Sequence, residues 1–278
     1  MALTLNEMAE SETNFLRLGV TRAFVENSTV LEDLPFVQLQ EGSARFFQEE
    51  TRMVTFGGVV DVSMTKNTLQ FFEDTRAMQT RLKVKKLATG FTKEFFEGDS
   101  ELGCNSFDGL RKRLTGEQVI TASSGTNNGD ILELEYIDRL IDSVWGGPDV
   151  IYMNRANRRA LVALAQKTGL LYNKMDFTGK VHTYYDEIPI KVLDRDDDGK
   201  TLLGFNEKVG FSDNCSSIYA VRYGEEFVCG ITKGLVVEDL GLLENPKVYR
   251  TLIEWYAGIT INNPKSAARL QGIKFEEV

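Results

Sequence analysis

Between residues 130 and 169 the spacing of hydrophobic positions changes twice. Ile137, Leu140, Ile141, Val144 and Trp145 recur at helical intervals with Glu133, Glu135, Asp138, Arg139 and Asp142 between them, which predicts an amphipathic helix with one apolar stripe. Gly146, Gly147 and Pro148 stop it. Val150, Ile151, Tyr152 and Met153 then form an unbroken apolar run, the pattern of a strand covered on both faces. Asn154 is placed to cap a second helix that turns Ala160, Leu161, Leu164 and Ala165 inward and closes at Thr168 and Gly169. Arg155, Arg158 and Arg159 crowd the first turn of that helix, where the dipole is positive. Each cation there costs about 0.3–1 kcal/mol unless a carboxylate answers it. Acids of the same chain and acids of a neighbouring subunit are both open as partners.

The same periodicities divide the rest of the chain. Residues 3–34 predict two short helices separated near Gly19, with Met8, Phe15, Leu16 and Leu18 in the first and Phe24 and Val25 in the second. Thr29 and Glu32 form a candidate capping box. So much apolar surface without a partner element beside it reads as an arm lying on something else, or as a plain N-terminal helical subdomain. Residues 41–73 take the strand period, with Val54 and Phe56 before Gly57 and Gly58, then Val60, Val62 and Met64. They predict a long hairpin whose limbs reach about 40 Å at about 3.3 Å per residue. Such a ribbon needs a partner to rest on, or folds back onto its own sheet. Asp74 can cap a helix running to Glu97, with Val84, Leu87, Ala88, Phe91 and Phe95 inward. Its outer face carries Arg76, Arg81, Lys83, Lys85, Lys86 and Lys93, either solvated or in contact with another molecule.

Further on, residues 107–114 predict a short helix and 121–128 a loop. Residues 181–185 lead into a strand around Ile188, Ile190 and Val192, in which Pro189 favours an edge or a bend. Residues 218–222 are expected to pair with 227–231 across Gly224 and Glu225. Residues 247–256 form a long alternating strand, with Val248, Arg250, Leu252, Glu254 and Tyr256 on one face and Tyr249, Thr251, Ile253 and Trp255 on the other. Another strand and a loop close the chain.

Composition narrows the function. With 278 residues and 42% apolar content, the chain can bury the core of one large domain or two modest ones. A formal charge of -9 argues against a surface that grips nucleic acid throughout. There is neither a basic segment leading an apolar run nor a stretch of 18 apolar residues, so a cytosolic protein without signal peptide or membrane span is expected. Cys104, Cys215 and Cys229 read as small packed hydrophobes rather than a disulfide or zinc framework. His182 is the single histidine, on a strand beside Thr183, Tyr184 and Tyr185, where a structural role is expected. No nucleophile elbow and no glycine-rich phosphate loop occurs. Asp194, Asp196, Asp198 and Gly199 match the opening of a calcium loop, but Phe205 stands where the bidentate Glu belongs, so a solvated turn is favoured over a metal site. No catalytic residue, cofactor or metal is assigned.

Several stretches, in this order, resemble the major capsid protein of tailed double-stranded DNA phages, the Hong Kong-type shell fold. They are LPFVQLQEGSARFFQEE, FFEGDSELGCNSFDGL, PDVIYMNRANRRAL, YYDEIPIKVLD, SIYAVRYGEEFVCGI and VYRTLIEWYAGITI. The resemblance covers nearly the whole chain and implies an α+β fold. It divides into an arm (1–40), an extended loop (41–73), a peripheral domain with a long spine helix (74–129 and 233–257) and an axial domain (130–232 and 258–278). It makes Arg52, Phe56 and Lys66, together with Arg155, Arg158 and Arg159, candidate inter-subunit contacts. The implied partners are copies of the chain in pentamers and hexamers, a separate scaffolding protein, a portal and weakly contacted double-stranded DNA. The implied location is a virion capsid assembled in a bacterial host's cytoplasm. Matching Lys and Asn residues for self-crosslinking are not identified. An encapsulin-type compartment shares the same fold, and a groove for cargo peptide at the N-terminal helix would favour it. A soluble α/β enzyme using Asp194, Asp196 and Asp198 with a metal is a third alternative.

Overall fold

Phe91 has no exposed surface, and its ring centroid lies 5.0 Å from that of Trp255, 5.5 Å from Phe56 and 5.8 Å from Phe107. This aromatic cluster is the core of one of two units in the computed structural model. The structure describes residues 2–10, 12, 14–39, 52–63, 75–103, 105–123, 128–166, 171–175, 181–193, 195–196, 199–243 and 248–275. One unit comprises Met1–Gly109 with Cys229–Thr260, the other Leu110–Val228 with Ile261–Val278.

The first unit begins with β1 (Leu3–Thr4), α1 (Leu5–Glu10), α2 (Phe15–Glu26), α3 (Thr29–Asp33) and β2 (Pro35–Gln38), followed by β3 (Val54–Ser63) and α4 (Thr75–Glu97). The second contributes α5 (Leu110–Arg113), β4 (Val119–Thr121), α6 (Leu134–Asp142), β5 (Val150–Asn154), α7 (Arg155–Ala165), β6 (Leu171–Met175), β7 (Val181–Tyr185), β8 (Ile188–Leu193), β9 (Glu207–Val209) and β10 (Ser212–Val221). Next come β11 (Val228–Leu243) and β12 (Val248–Ile261) of the first unit's sheet, and β13 (Ala267–Lys274) of the second. The first sheet has the order β1-β2-β11-β12-β3. The second has the order β4-β13-β10-β5-β8-β7-β6, with β9 on β10.

In the first unit the stripe on α4 is as its spacing predicts: Val84, Leu87, Ala88, Phe91 and Phe95 are all buried. Thr251, Ile253 and Trp255 of β12 are buried as well, so the alternation sets which face of the strand turns inward. The N-terminal helices lie on this same core. Phe24 stacks 5.2 Å from Trp255, Ser28 shares a 2.7 Å hydrogen bond with Thr92, and Val30, Leu31 and Leu34 have no exposed surface.

Several expectations are corrected here. Gly19 sits inside α2 instead of separating two helices, and the cap of α3 is Ser28, whose hydroxyl accepts from Leu31 N–H at 3.2 Å. The chain does not turn at Gly57 and Gly58. Instead β3 runs straight through them, antiparallel to β12 from Val54 opposite Ala257 to Ser63 opposite Val248. The flanks of the predicted hairpin, and Asp74 with them, lie outside the described residues.

In the second unit, Ile137, Leu140, Ile151, Met153, Leu161, Ile218, Ala220 and Leu270 are buried in one core. Strand β5 is buried at every position, as its unbroken apolar run predicts. Residues 218–222 and 227–231 do not form a hairpin: β10 and β11 belong to different sheets. A turn from Gly224 to Phe227 redirects the chain and leaves an isolated bridge between Tyr223 and Val228. Strand β8 is not an edge strand. Pro189 stands opposite Tyr184 of β7, and pairing with β5 begins at Ile190, so the missing N–H removes no ladder bond. Strand β4, three residues packed parallel to β13, lies partly in the segment expected to be a loop.

Candidate assembly surfaces

Asn154 organises the start of α7. Its Oδ1 accepts from Asn157 N–H at 2.7 Å, while its Nδ2 donates to the Leu203 carbonyl at 2.7 Å and to Ser216 Oγ at 2.9 Å. This buried network fixes the first turn and with it the three arginines. Arg155 and Arg159 are exposed. Arg158 is half-buried and donates from Nη1 to Thr183 Oγ1 at 3.4 Å, and its Nε has no hydrogen-bond partner. Among the described residues neither Arg158 nor Arg159 makes an ion pair.

Beside α7 opens a cleft of about 410 Å³, lined chiefly by Ile131, Ala160, Leu164, Phe205 and Phe275, with Arg159 and Lys274 as its basic residues. Ile131 and Phe275 are 42% and 54% exposed, large values for apolar side chains. The other end of β5 carries Trp145, which is 67% exposed and not part of the inward stripe its spacing predicts. Helix α6 ends at Asp142, the Ser143 N–H closes onto the Arg139 carbonyl, and Trp145 N–H donates to the Lys265 carbonyl at 2.9 Å. These bonds turn the indole outward before Gly146 and Gly147 redirect the chain with positive φ.

The first unit presents its own surfaces. Phe56 is only 8% exposed and packs on Phe91, Phe107 and Trp255, so its ring is committed within its own chain. Arg52 is exposed, and Lys66 lies outside the described residues. Of the basic residues on α4, Arg76 is tied down: it pairs with Asp239, donates to Thr251 Oγ1 at 2.9 Å and lies over the Tyr249 ring. Arg81, Lys85 and Lys86 remain exposed. On the same helix Met78 and Leu82, four residues apart, are 47% and 51% exposed, and the sheet adds Val59, Val236, Leu240 and Leu242. Val59 stands opposite Leu252, on the face carrying the Arg250–Asp61 ion pair of 2.6 Å and away from Phe56 and Val60. A groove of about 430 Å³ lies between the N-terminal helices and this sheet, lined among others by Leu5, Met8, Phe24, Phe36, Leu235 and Trp255. The Glu12–Arg17 ion pair, 3.1 Å long, stands within it.

The chemistry-bearing residues inside the second unit are structural in their contacts. Glu207, 2% exposed, accepts from Ser217 Oγ at 2.5 Å and from Arg269 Nη2 at 2.8 Å, and Arg269 Nε donates to the same Ser217 hydroxyl. No sequence pattern pairs these residues, which are 62 positions apart. Cys215 is buried and in no disulfide, as is Cys229 of the first unit, and burial raises the Cys215 thiol above its ordinary pKa. Asp196 closes a turn, its N–H donating to the Lys200 carbonyl, while Asp194 and Asp198 lie outside the described residues. Among the described residues no cluster of three or more His, Cys, Asp or Glu could hold a metal ion, and no helix is long and apolar enough to cross a membrane.

No protein-family model and no curated protein matches the sequence. Solved structures do match. The holo-SrpI encapsulin complex from Synechococcus elongatus superposes with a TM-score of 0.66 at 17% identity, over 89% of this chain and 88% of that one. The capsid of an empty GTA particle gives 0.57 at 11% identity, over 89% and 90%. The procapsid of satellite phage P4 gives 0.50 at 10%, over 96% and 93%. With two sheets, a long helix beside the first and a buried central strand in the second, the chain has the α+β Hong Kong-type shell fold, common to these capsid and encapsulin structures.

Proposed function

We propose that this chain is a structural subunit, not an enzyme, that self-assembles into a closed icosahedral shell, and that the shell is the capsid of a tailed phage enclosing double-stranded DNA. The observation that carries the assembly is the apolar surface an isolated subunit leaves in water: Met78, Leu82, Val59 and Leu240 in one unit, Trp145, Ile131 and Phe275 in the other. Surfaces of this kind mark contacts with other molecules, and a symmetric lattice lets many weak contacts act together. The charge of -9 supports a container that holds DNA loosely, because counterion-releasing contacts over the whole wall would resist packing and release. Arg52, Lys66 and the arginines of α7 are proposed as contacts between copies, and a scaffolding protein and a portal as partners in assembly.

An encapsulin-type compartment is the alternative that one observation favours, namely the groove of about 430 Å³ beside the N-terminal helices, lined by both apolar and polar side chains. Expression followed by size-exclusion chromatography and negative-stain microscopy tests the assembly, with regular particles expected. A protein that stays monomeric at high concentration overturns it. The contents of purified particles then discriminate: double-stranded DNA supports the capsid, and a co-purified enzyme seated on the N-terminal groove supports the compartment.

A further inference from the structure

Trp145 is 67% exposed, and its main chain is held rigid, N–H bonded to the Lys265 carbonyl and carbonyl bonded by Arg222 Nη1 at 2.5 Å. A large aromatic ring presented on a fixed backbone loses little freedom on binding, and Trp and Arg are the residue types that dominate interface energetics. The exposed acids Asp142 and Asp149 flank it, beside the exposed cations Arg139 and Lys265 and the half-buried Arg222. At the opposite end of β5 the cleft beside α7 is concave, apolar and bordered by Arg159 and Lys274. An exposed indole with the Asp142 carboxylate beside it complements an apolar cleft with a basic rim, but the two stand at opposite ends of one unit, so a subunit cannot fill its own cleft with its own Trp145.

We propose that Trp145 of one subunit seats in the α7 cleft of the next, with Asp142 of the first facing Arg159 of the second. The contact rests on the shell assembly proposed above and names the surfaces through which successive copies meet. It is heterologous: each copy gives an indole at one end and receives one at the other, and such contacts form rings when the rotation between copies closes. It also brings a carboxylate to the N-terminus of α7, where Arg159 otherwise stands against the positive end of the helix dipole.

The unmodified protein carries its own probe, since Trp145 and Trp255 are its two tryptophans and Trp255 is 2% exposed. Acrylamide is expected to quench one tryptophan in dissociated subunits and neither in assembled particles, with emission moving to shorter wavelength on assembly. Regular particles in which one tryptophan stays open to acrylamide overturn the contact and leave shell assembly standing. Subunits that never associate overturn both. A charge exchange supplies the second measurement. Asp142→Arg and Arg159→Glu are each expected to raise the concentration needed for assembly about tenfold or more, the equivalent of roughly 1.4 kcal/mol per contact. The double exchange is expected to restore it. If the singles assemble like the unmodified protein, or the double does no better than either single, the pairing is wrong. Circular dichroism of the dissociated variants confirms that each is folded.

Discussion

Replacing Glu207 by Ala isolates the most heavily buried ion pair among the described residues of the second unit. Both partners are almost out of water, Glu207 at 2% and Arg269 at 6% exposure, and the carboxylate also accepts from Ser217. Arg111, the next nearest cation, stands 3.9 Å from the other carboxylate oxygen and is itself 44% exposed at its side chain, so it contributes little. Truncating Glu207 leaves the Arg269 guanidinium buried over the Tyr219 ring with one hydroxyl as its remaining polar neighbour. Breaking such a pair costs about 3–5 kcal/mol, a large share of the roughly 5–15 kcal/mol that stabilises an ordinary domain. Removing both charges is different: Glu207→Leu with Arg269→Met is expected to recover most of that loss, because neither ionic desolvation cost is then incurred and only the Ser217 hydroxyl loses its partners. Urea unfolding of dissociated subunits, followed by far-ultraviolet circular dichroism and fitted with separate transitions for the two units, measures both variants. A loss below about 1 kcal/mol for Glu207→Ala, or a double variant no more stable than the single, would refute the reasoning.

Asn154→Ala removes a helix cap, worth about 1 kcal/mol, and takes two donated hydrogen bonds from the Leu203 carbonyl and the Ser216 hydroxyl, which still bond each other, about 1 kcal/mol more. Amide hydrogen exchange in the first turns of α7 is expected to accelerate by roughly thirty-fold or more, and Asn154→Asp, which keeps the cap and loses the donors, should fall between the two. Arg250 and Arg76 hold the carboxyls of Asp61 and Asp239 below their ordinary pKa of 3.8 through direct hydrogen bonds. A carboxyl lowered in the folded state contributes stability that is present above the unfolded value and is lost as pH falls through the folded one. Exchange protection in β3 and the outer half of β11 is therefore expected to weaken below about pH 4, and the Asp61→Asn, Asp239→Asn double variant should lose that acid step.

Where the elements were legible in the sequence, one physical period governed them. The stripe on α4, the alternation of β12 and the solid apolar run of β5 each follow from which side chains must leave water, and the burial of those residues agrees. Local chemistry was legible at Asn154, whose side chain caps α7 through a bond to the N–H three residues on, although its donated bonds to Leu203 and Ser216 are tertiary. It failed where two local options were equivalent. Thr29 and Ser28 are both competent caps, and the bond from Ser28 to Thr92 of α4, far along the chain, selected Ser28. Trp145 matched the helical spacing, yet the Lys265 carbonyl captured its N–H and turned the ring out. Sequence singled out the arginines of α7 as a proposal for contacts and gave no sign of the cleft beside them. That cleft needs Phe205, just before β9, and Phe275, just after β13, brought together with their rings 5.2 Å apart.

By itself, then, the sequence determined the strongly periodic elements α4, β5, α7 and β12 and which of their faces are apolar, because the side chains that must leave water recur there at fixed local intervals. Tertiary structure alone decided that β10 and β11 part into different sheets, that Glu207 meets Arg269, and that Trp145 stands at one end of β5 with a cleft at the other. Those outcomes depend on contacts between residues tens to hundreds of positions apart, and the energies that choose among them belong to the packed whole, with no trace in any local pattern.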